Sequence, residues 1–220
     1  HAMEAARLNK VKRVVFTSSH SVYGHVEAKN GELPVISEDY PKFDRAEKRP
    51  LPYYTVTNKM VEDFGIRFAM DFAMEFVITR FGGTFGPGKL ESRRRMTLQT
   101  GTELDETNVP RLSGNLASLM IDHAIAGKPF RFPEGRDNKS NLVYCKDIAN
   151  GVVLAALSDK IRFSGNHREF HFDGGKAITF RELMEAIKKH IPAAHIEMGP
   201  GWLTSDKHPD PQVVFDLSRV

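Results

Sequence analysis

Two short runs in this chain carry residue types that can move a proton. Ser18 and Ser19 close a β-branched run, and Tyr53-Tyr54 is followed within two helical turns by Asn58-Lys59. A phenol with an ordinary pKa near ~10 is a poor base at neutral pH. It serves as an acid or base only where positive charge beside it stabilises the phenolate. On a helix, positions i and i+4 share a face, while i+5 lies about 140° round the axis. Tyr54 therefore shares a line with the neutral Asn58, and Lys59 stands one residue out of step, able to reach over only through its long stem. Asn58 can hold a hydroxyl but cannot lower a phenol's pKa by charge. Cys145 reads as a small buried hydrophobe rather than a nucleophile, and no metal site is expected from the nine histidines.

The elements that must position these residues can be read from the pattern. A helix ends near Lys10, and residues 11–17 form a short apolar strand of the buried parallel kind. Residues 24–52, with prolines at 34, 41, 50 and 52, read as a surface loop. A helix is expected from Tyr54 to Met74, with Val61, Phe64, Phe68 and Phe72 on one apolar face and the methionines Met70 and Met74 in the core. Residues 75–80 form the next strand. Further helices are expected over 112–126, 147–157 and from the capping box Thr179-Phe180-Arg181-Glu182 to His190. Strands are expected at 129–132, 141–144, 169–172 and 195–198. Alternating strands and helices imply an α/β fold with a parallel sheet.

Three segments together resemble the NAD-dependent epimerase/dehydratase branch of the extended short-chain dehydrogenase/reductase superfamily. Arg13 to Gly24 looks like its strand and Ser-Ser-x-x-Val-Tyr-Gly turn. Pro52 to Glu62 is similar to its Pro-Tyr-x-x-Ser-Lys-x-x-x-Glu helix, and Arg80 to Gly88 to its Arg-x-x-x-x-Tyr-Gly-Pro-Gly turn. Fainter echoes lie at Lys146–Ala149 and Gly174–Glu182. The resemblance implies a Rossmann-like parallel sheet, later strands only, over residues 1–88, and a smaller C-terminal α/β substrate-binding part over 89–220. It implies NAD or NADP as cofactor, a small-molecule substrate such as a sugar or nucleotide-sugar, and a homodimer. By position, Ser19 is the hydroxyl that holds the substrate oxygen and Tyr54 the acid/base, with Asn58 or Lys59 in the place of the family's lysine. Thr17, Ser18, Tyr54, Asn58, Lys59 and the stretch Phe81, Gly82, Gly83, Thr84 are the implied cofactor contacts.

The chain also departs from that pattern. Gly83 stands where nucleotide-sugar enzymes often have asparagine, and Ser140 where many carry a pyrophosphate-binding arginine; Arg136, Lys139 or the run Arg93-Arg94-Arg95 are the substitutes at hand, though the run reads better as a solvated loop. These departures, with Asn58, leave a second reading open, a family member that binds a nucleotide or a partner protein without turnover. Trp202 fits either a substrate lid or an anchor for the tail. No Gly-x-Gly-x-x-Gly precedes residue 13, so on this resemblance about three βα units of roughly 30 residues are missing; the expectation is that they lie upstream in a longer protein, the alternative being a protein that has lost its dinucleotide half.

Composition sets the remaining bounds. Of 220 residues, 31 are Lys or Arg and 28 Asp or Glu, giving +3, with the signs well mixed and no basic stripe for nucleic acid. No apolar run nears the roughly 20 residues that span a bilayer. With one cysteine, the expectation is a soluble, cytoplasmic protein.

Overall fold

A computed structural model describes residues 1–24, 26, 34–43, 52–89, 113–202 and 213–220, apart from the side chains of 113 and 114. The chain is α/β and divides into two compact units, each assembled from separated stretches: 1–82, 146–175 and 213–220 in the first, 83–145 and 176–212 in the second.

The first unit is built on a parallel sheet in the order β1 (Arg13–Ser19), β3 (Glu75–Phe81), β8 (His167–Phe172). The register runs Ser18 to Arg80 to His171, so these three polar side chains share a face with Phe16, Phe76 and Ile78. Helix α1 (Ala2–Leu8) precedes β1, and α2 (Tyr53–Phe72) covers that face. Gly65 makes the contact possible, since a Cβ there would fall 2.2 Å from the Phe76 ring. Helix α4 (Cys145–Leu157) lies on the other face, where Gly151 leaves room for Phe172 in the same way. A short pair, β2 (Val35–Ile36) with β11 (Val214–Phe215), completes the unit.

The α2 helix does not turn its aromatic stripe inward. Its buried residues are Thr55, Glu62, Gly65 and Ala69, whereas Val61, Phe64, Met70 and Phe72 are exposed and only Met74 is buried as expected. The stripe instead forms a ladder along the outside, with Phe64 to Phe68 at 5.7 Å and Phe68 to Phe72 at 4.5 Å between ring centres.

The second unit pairs β4 (Gly83–Phe85) with β7 (Leu142–Tyr144), β5 (Phe130–Phe132) with β10 (Ile196–Met198), and β6 (Lys139–Ser140) with β9 (Ile178–Thr179). Helices α3 (Ser113–Ile125) and α5 (Phe180–His190) bury Leu116, Met120, Leu183 and Ile187 against Phe130 and Ile196. Both halves of the Thr179–Glu182 capping box form. Cys145 is half-buried rather than buried as expected: it opens α4, with Sγ 3.8 Å from the Pro87 carbonyl. Arg93-Arg94-Arg95 lies outside the described residues.

Candidate active site

β1 ends as its sequence turns from apolar to hydroxylic, and its last two serines face opposite ways because strand side chains alternate. Ser18 is buried and donates from Oγ to Glu62 Oε1 at 2.6 Å. Ser19 Oγ accepts the Ser21 amide at 3.1 Å and so caps a 3₁₀ turn from His20 to Tyr23. That capping bond uses a lone pair and leaves the Ser19 proton free to donate.

Glu62 fixes the rotation of α2. Its carboxylate, wholly buried, takes a two-pronged grip from Arg80, Nε to Oε1 at 3.0 Å and Nη2 to Oε2 at 2.8 Å. The remaining Arg80 nitrogen, Nη1, donates to the Tyr23 hydroxyl at 2.6 Å and the Glu38 carbonyl at 3.0 Å. Burial works against the Arg80 charge, yet the Glu62 hydrogen bonds and charge outweigh it and hold the guanidinium firmly protonated. With Glu62 pinned, Asn58 follows one turn upstream, while two turns upstream Thr55 is buried on the same side as Glu62 and Tyr54 stands about 80° round the axis from it. Asn58 Nδ2 donates to the Tyr54 carbonyl at 2.8 Å, and the Tyr54 side chain stands 62% exposed. Lys59 lies on the next line, its Nζ 2.5 Å from Asp63 Oδ2 and 5.7 Å over the Phe43 ring. Burial raises the Asp63 carboxyl, but hydrogen bonds from Lys42 and Lys59 outweigh it and hold it below its ordinary pKa.

Of the other sequence-identified positions, Thr17 is exposed on β1, and Phe81 lies in register between Ser19 and Phe172. Gly82 ends the first unit's first stretch, packed so closely on His20 that a Cβ would fall 3.2 Å from Nδ1. Gly83 and Thr84 belong to the second unit, where a Cβ on Gly83 would sit 2.7 Å from the Asn141 carbonyl oxygen.

Sequence reading missed a buried polar cluster at the carboxyl ends of β1, β3 and β8. His171 Nε2 meets the Tyr23 hydroxyl at 2.5 Å and its Nδ1 meets the Asp216 carbonyl at 3.2 Å. Arg80 already donates to the Tyr23 oxygen, so the phenol proton points to Nε2 and the neutral ring carries its proton on Nδ1. Burial, then the Arg80 charge, lowers His171 to about 4. Burial also pushes the Asp173 carboxyl up to about 6, where it faces His20 Nδ1 at 3.8 Å. The available signal was Arg80 itself, a cation in an apolar strand that has to find a buried partner.

His171 carries a pH prediction. Its folded pKa is depressed, so its contribution to stability is complete above the reference value of 6.5 and is lost as pH falls through about 4. Urea midpoints measured from pH 7.5 to 4 should fall faster for wild type than for His171→Gln, which keeps an acceptor for Tyr23 without a titrating ring. Parallel curves would refute this.

His167 and His171 stand four residues apart, a metal-pair spacing on a helix. On strand β8 that spacing is about 13 Å, too far to share an ion. Among the described residues, no group of three or more His, Cys, Asp or Glu can hold a metal. Among them, too, no helix is long and apolar enough to cross a membrane.

The model of the NAD dependent epimerase/dehydratase family matches residues 1–164. The chain belongs to that family. Solved epimerases share its fold. A UDP-N-acetylglucosamine 4-epimerase from Methanobrevibacter ruminantium M1, in complex with UDP-N-acetylmuramic acid, superposes with a TM-score of 0.65 at 21% identity, covering 98% of this chain and 57% of that one. The UDP-Glc/GlcNAc 4-epimerase of Campylobacter jejuni gives 0.66 at 18% identity, covering 99% and 60%. A curated Arabidopsis thaliana protein, whose name includes the words UDP-arabinose 4-epimerase, is 25% identical over 193 residues, 85% of this chain and 39% of its own length. The chain thus spans well under two thirds of the length of these epimerase/dehydratase relatives.

Proposed function

We propose that this chain supplies the proton-handling and sugar-facing part of an NAD(P)-dependent epimerase or dehydratase acting on a nucleotide-sugar, with Tyr54 as acid/base and Ser19 orienting the reacting hydroxyl. The observation that carries this reading is the Glu62–Arg80 anchor, which sets α2 so that Tyr54 and Asn58 lie on one line and the Tyr54 phenol is open to solvent. Ser19 donates its free proton to the substrate oxygen, and Tyr54 takes up and returns the hydroxyl proton at its phenol oxygen. Asn58 uses one N–H on the Tyr54 carbonyl, leaving a second N–H and its carbonyl oxygen, a set that suits the two hydroxyls of a ribose. The residues present therefore fit the nicotinamide-ribose side of a dinucleotide. When bound, NAD supplies a reversible hydride acceptor for the carbon that bears the hydroxyl. The single cysteine suits a reducing, cytoplasmic setting.

A second reading draws on the same helix. Asn58 is neutral and Lys59 is tied to Asp63, so the phenol lacks the cation that the chemistry favours. This supports a member that binds a nucleotide or partner without turnover. The test is to give the whole protein NAD and a panel of UDP-sugars and to follow epimer formation and cofactor absorbance. Turnover is expected, and Asn58→Lys should raise it about tenfold or more near neutral pH, since an adjacent cation lowers such a pKa by about 1–3 units. No turnover in either protein, with NAD still bound, would establish the second reading.

The ladder on α2, with Phe64 and Phe72 exposed and Phe68 half-buried between them, suits a two-fold contact between copies of the chain, as the proposed homodimer requires. Phe68→Glu should convert a dimer to a monomer in sedimentation equilibrium; a wild-type monomer would refute the assignment.

A further inference from the structure

The first unit contains a concavity that the proton chemistry above does not use. It is a cavity of about 450 Å³ beside the outer strand β8, on the sheet face that α4 covers. That volume falls within the range of small-molecule sites. Strand alternation puts Arg168, Phe170 and Phe172 together on this face, and Phe170 and Phe172 make the floor. Leu154 of α4, with Ile161 and Val220, forms the apolar wall. Leu154 is 66% exposed, so the wall offers apolar surface that nothing in the unit covers.

The charged side chains of the lining are all cationic, beside the hydroxyls of Ser158 and Ser218. Lys160, Arg162, Arg168 and Arg219 line the cavity, and no aspartate or glutamate does. Arg219 is committed to Glu38 and Asp39. Among the described residues, Lys160, Arg162 and Arg168 have no carboxylate partner. Arg168 lies 5.9 Å over the Phe170 ring, so one side chain joins the charged rim to the aromatic floor. An uncharged ligand would leave those three charges unused, and a cation would be repelled. A bare anion would gain only screened surface attraction and leave the apolar floor wet. Only a ligand with both an apolar body and an anionic head satisfies floor and rim together.

We propose that this cavity binds a small amphiphilic anion, its hydrocarbon or aromatic body on Phe170, Phe172 and Leu154 and its carboxylate or phosphate head among Lys160, Arg162 and Arg168. The site is independent of the epimerase reading, because none of its lining residues belongs to the Ser19–Tyr54–Asn58 group.

Calorimetric titration of the whole protein, run without and with saturating NAD and UDP-glucose, tests this. The probes are octyl phosphate, octanoate, octyl glucoside, octyltrimethylammonium and inorganic phosphate, each below its micelle concentration. Octyl phosphate or octanoate should bind at least about tenfold more tightly than the other three, and which of the two binds better identifies the head group. Raising the salt should weaken binding. Arg168→Glu should weaken it by about tenfold or more, and Lys160→Glu, on an exposed loop where folding is not at stake, should weaken it in the same direction. Equal binding of octyl glucoside or the ammonium probe would overturn the proposal, as would indifference to both charge reversals or no binding at all. Displacement by UDP-glucose would place the anion in the nucleotide-sugar site and overturn it too, while leaving the epimerase reading intact.

Discussion

Arg80→Met is expected to cost about 3–5 kcal/mol of folding free energy, because it takes the bidentate counter-charge from the buried Glu62 carboxylate and leaves it only the single-pronged Lys42. Against a total stability of about 5–15 kcal/mol for a typical domain, that removes a large share of what keeps the first unit folded. The geometry explains the size of the effect. Arg80 and Glu62 are exposed by 1% and 0%, and the guanidinium makes four hydrogen bonds, to both Glu62 oxygens, the Tyr23 hydroxyl and the Glu38 carbonyl. After the substitution, Glu62 retains only the Ser18 hydroxyl and, at 3.3 Å, the Lys42 ammonium. Urea denaturation is the measurement, with Arg67→Met as control, since Arg67 pairs with Asp71 on the exposed side of the same helix. That control should shift stability by less than about 1 kcal/mol. The double variant Arg80→Met, Glu62→Leu should recover part of the loss, as no buried charge is then unpaired. An Arg80 variant as stable as the Arg67 control would mean that the buried pair does not anchor α2.

The second large effect concerns turnover. In the whole protein, Tyr54→Phe should lower epimerase turnover by about 10²–10⁴, the usual worth of a positioned acid/base. Folding should be unaffected within about 0.5 kcal/mol, since the side chain is 62% exposed and donates no hydrogen bond to the described residues. NAD affinity should hold as well, because the ribose contact is assigned to Asn58. Unchanged turnover would dismiss Tyr54 as the acid/base, and a parallel loss of stability would show that its role is in packing.

Much of the scaffold was legible because it rests on local signals. The capping box at Thr179 needs only a hydroxyl and a carboxylate three residues apart, and it formed as read. The strand read at residues 75–80 announces itself by apolar and β-branched composition and forms over Glu75–Phe81, while the strand read at 169–172 forms over His167–Phe172 with only its last two residues buried. The short pairs β2–β11 and β6–β9 were not legible, since two-residue strands leave no period to detect. The α2 helix misled for a different reason. Its strongest apolar period, Val61, Phe64, Phe68, Phe72, marks the outer face, whereas the inner face is built from small residues and a glutamate. A moment calculated from hydrophobicity cannot distinguish a face that packs on its own sheet from one left for a partner.

By itself, the sequence determined the α/β class, the family and the order of the main elements. All of these follow from residue type and spacing along the chain. Only the tertiary structure decided which side of α2 turns to the sheet. Nothing local distinguishes Glu62 from its neighbour Asp63 as the carboxylate that turns inward. The choice falls to Glu62 because Arg80, on a strand 18 residues further along, is buried and cannot remain so without a carboxylate. Asp63 is left at the surface, where it pairs with Lys42 and Lys59.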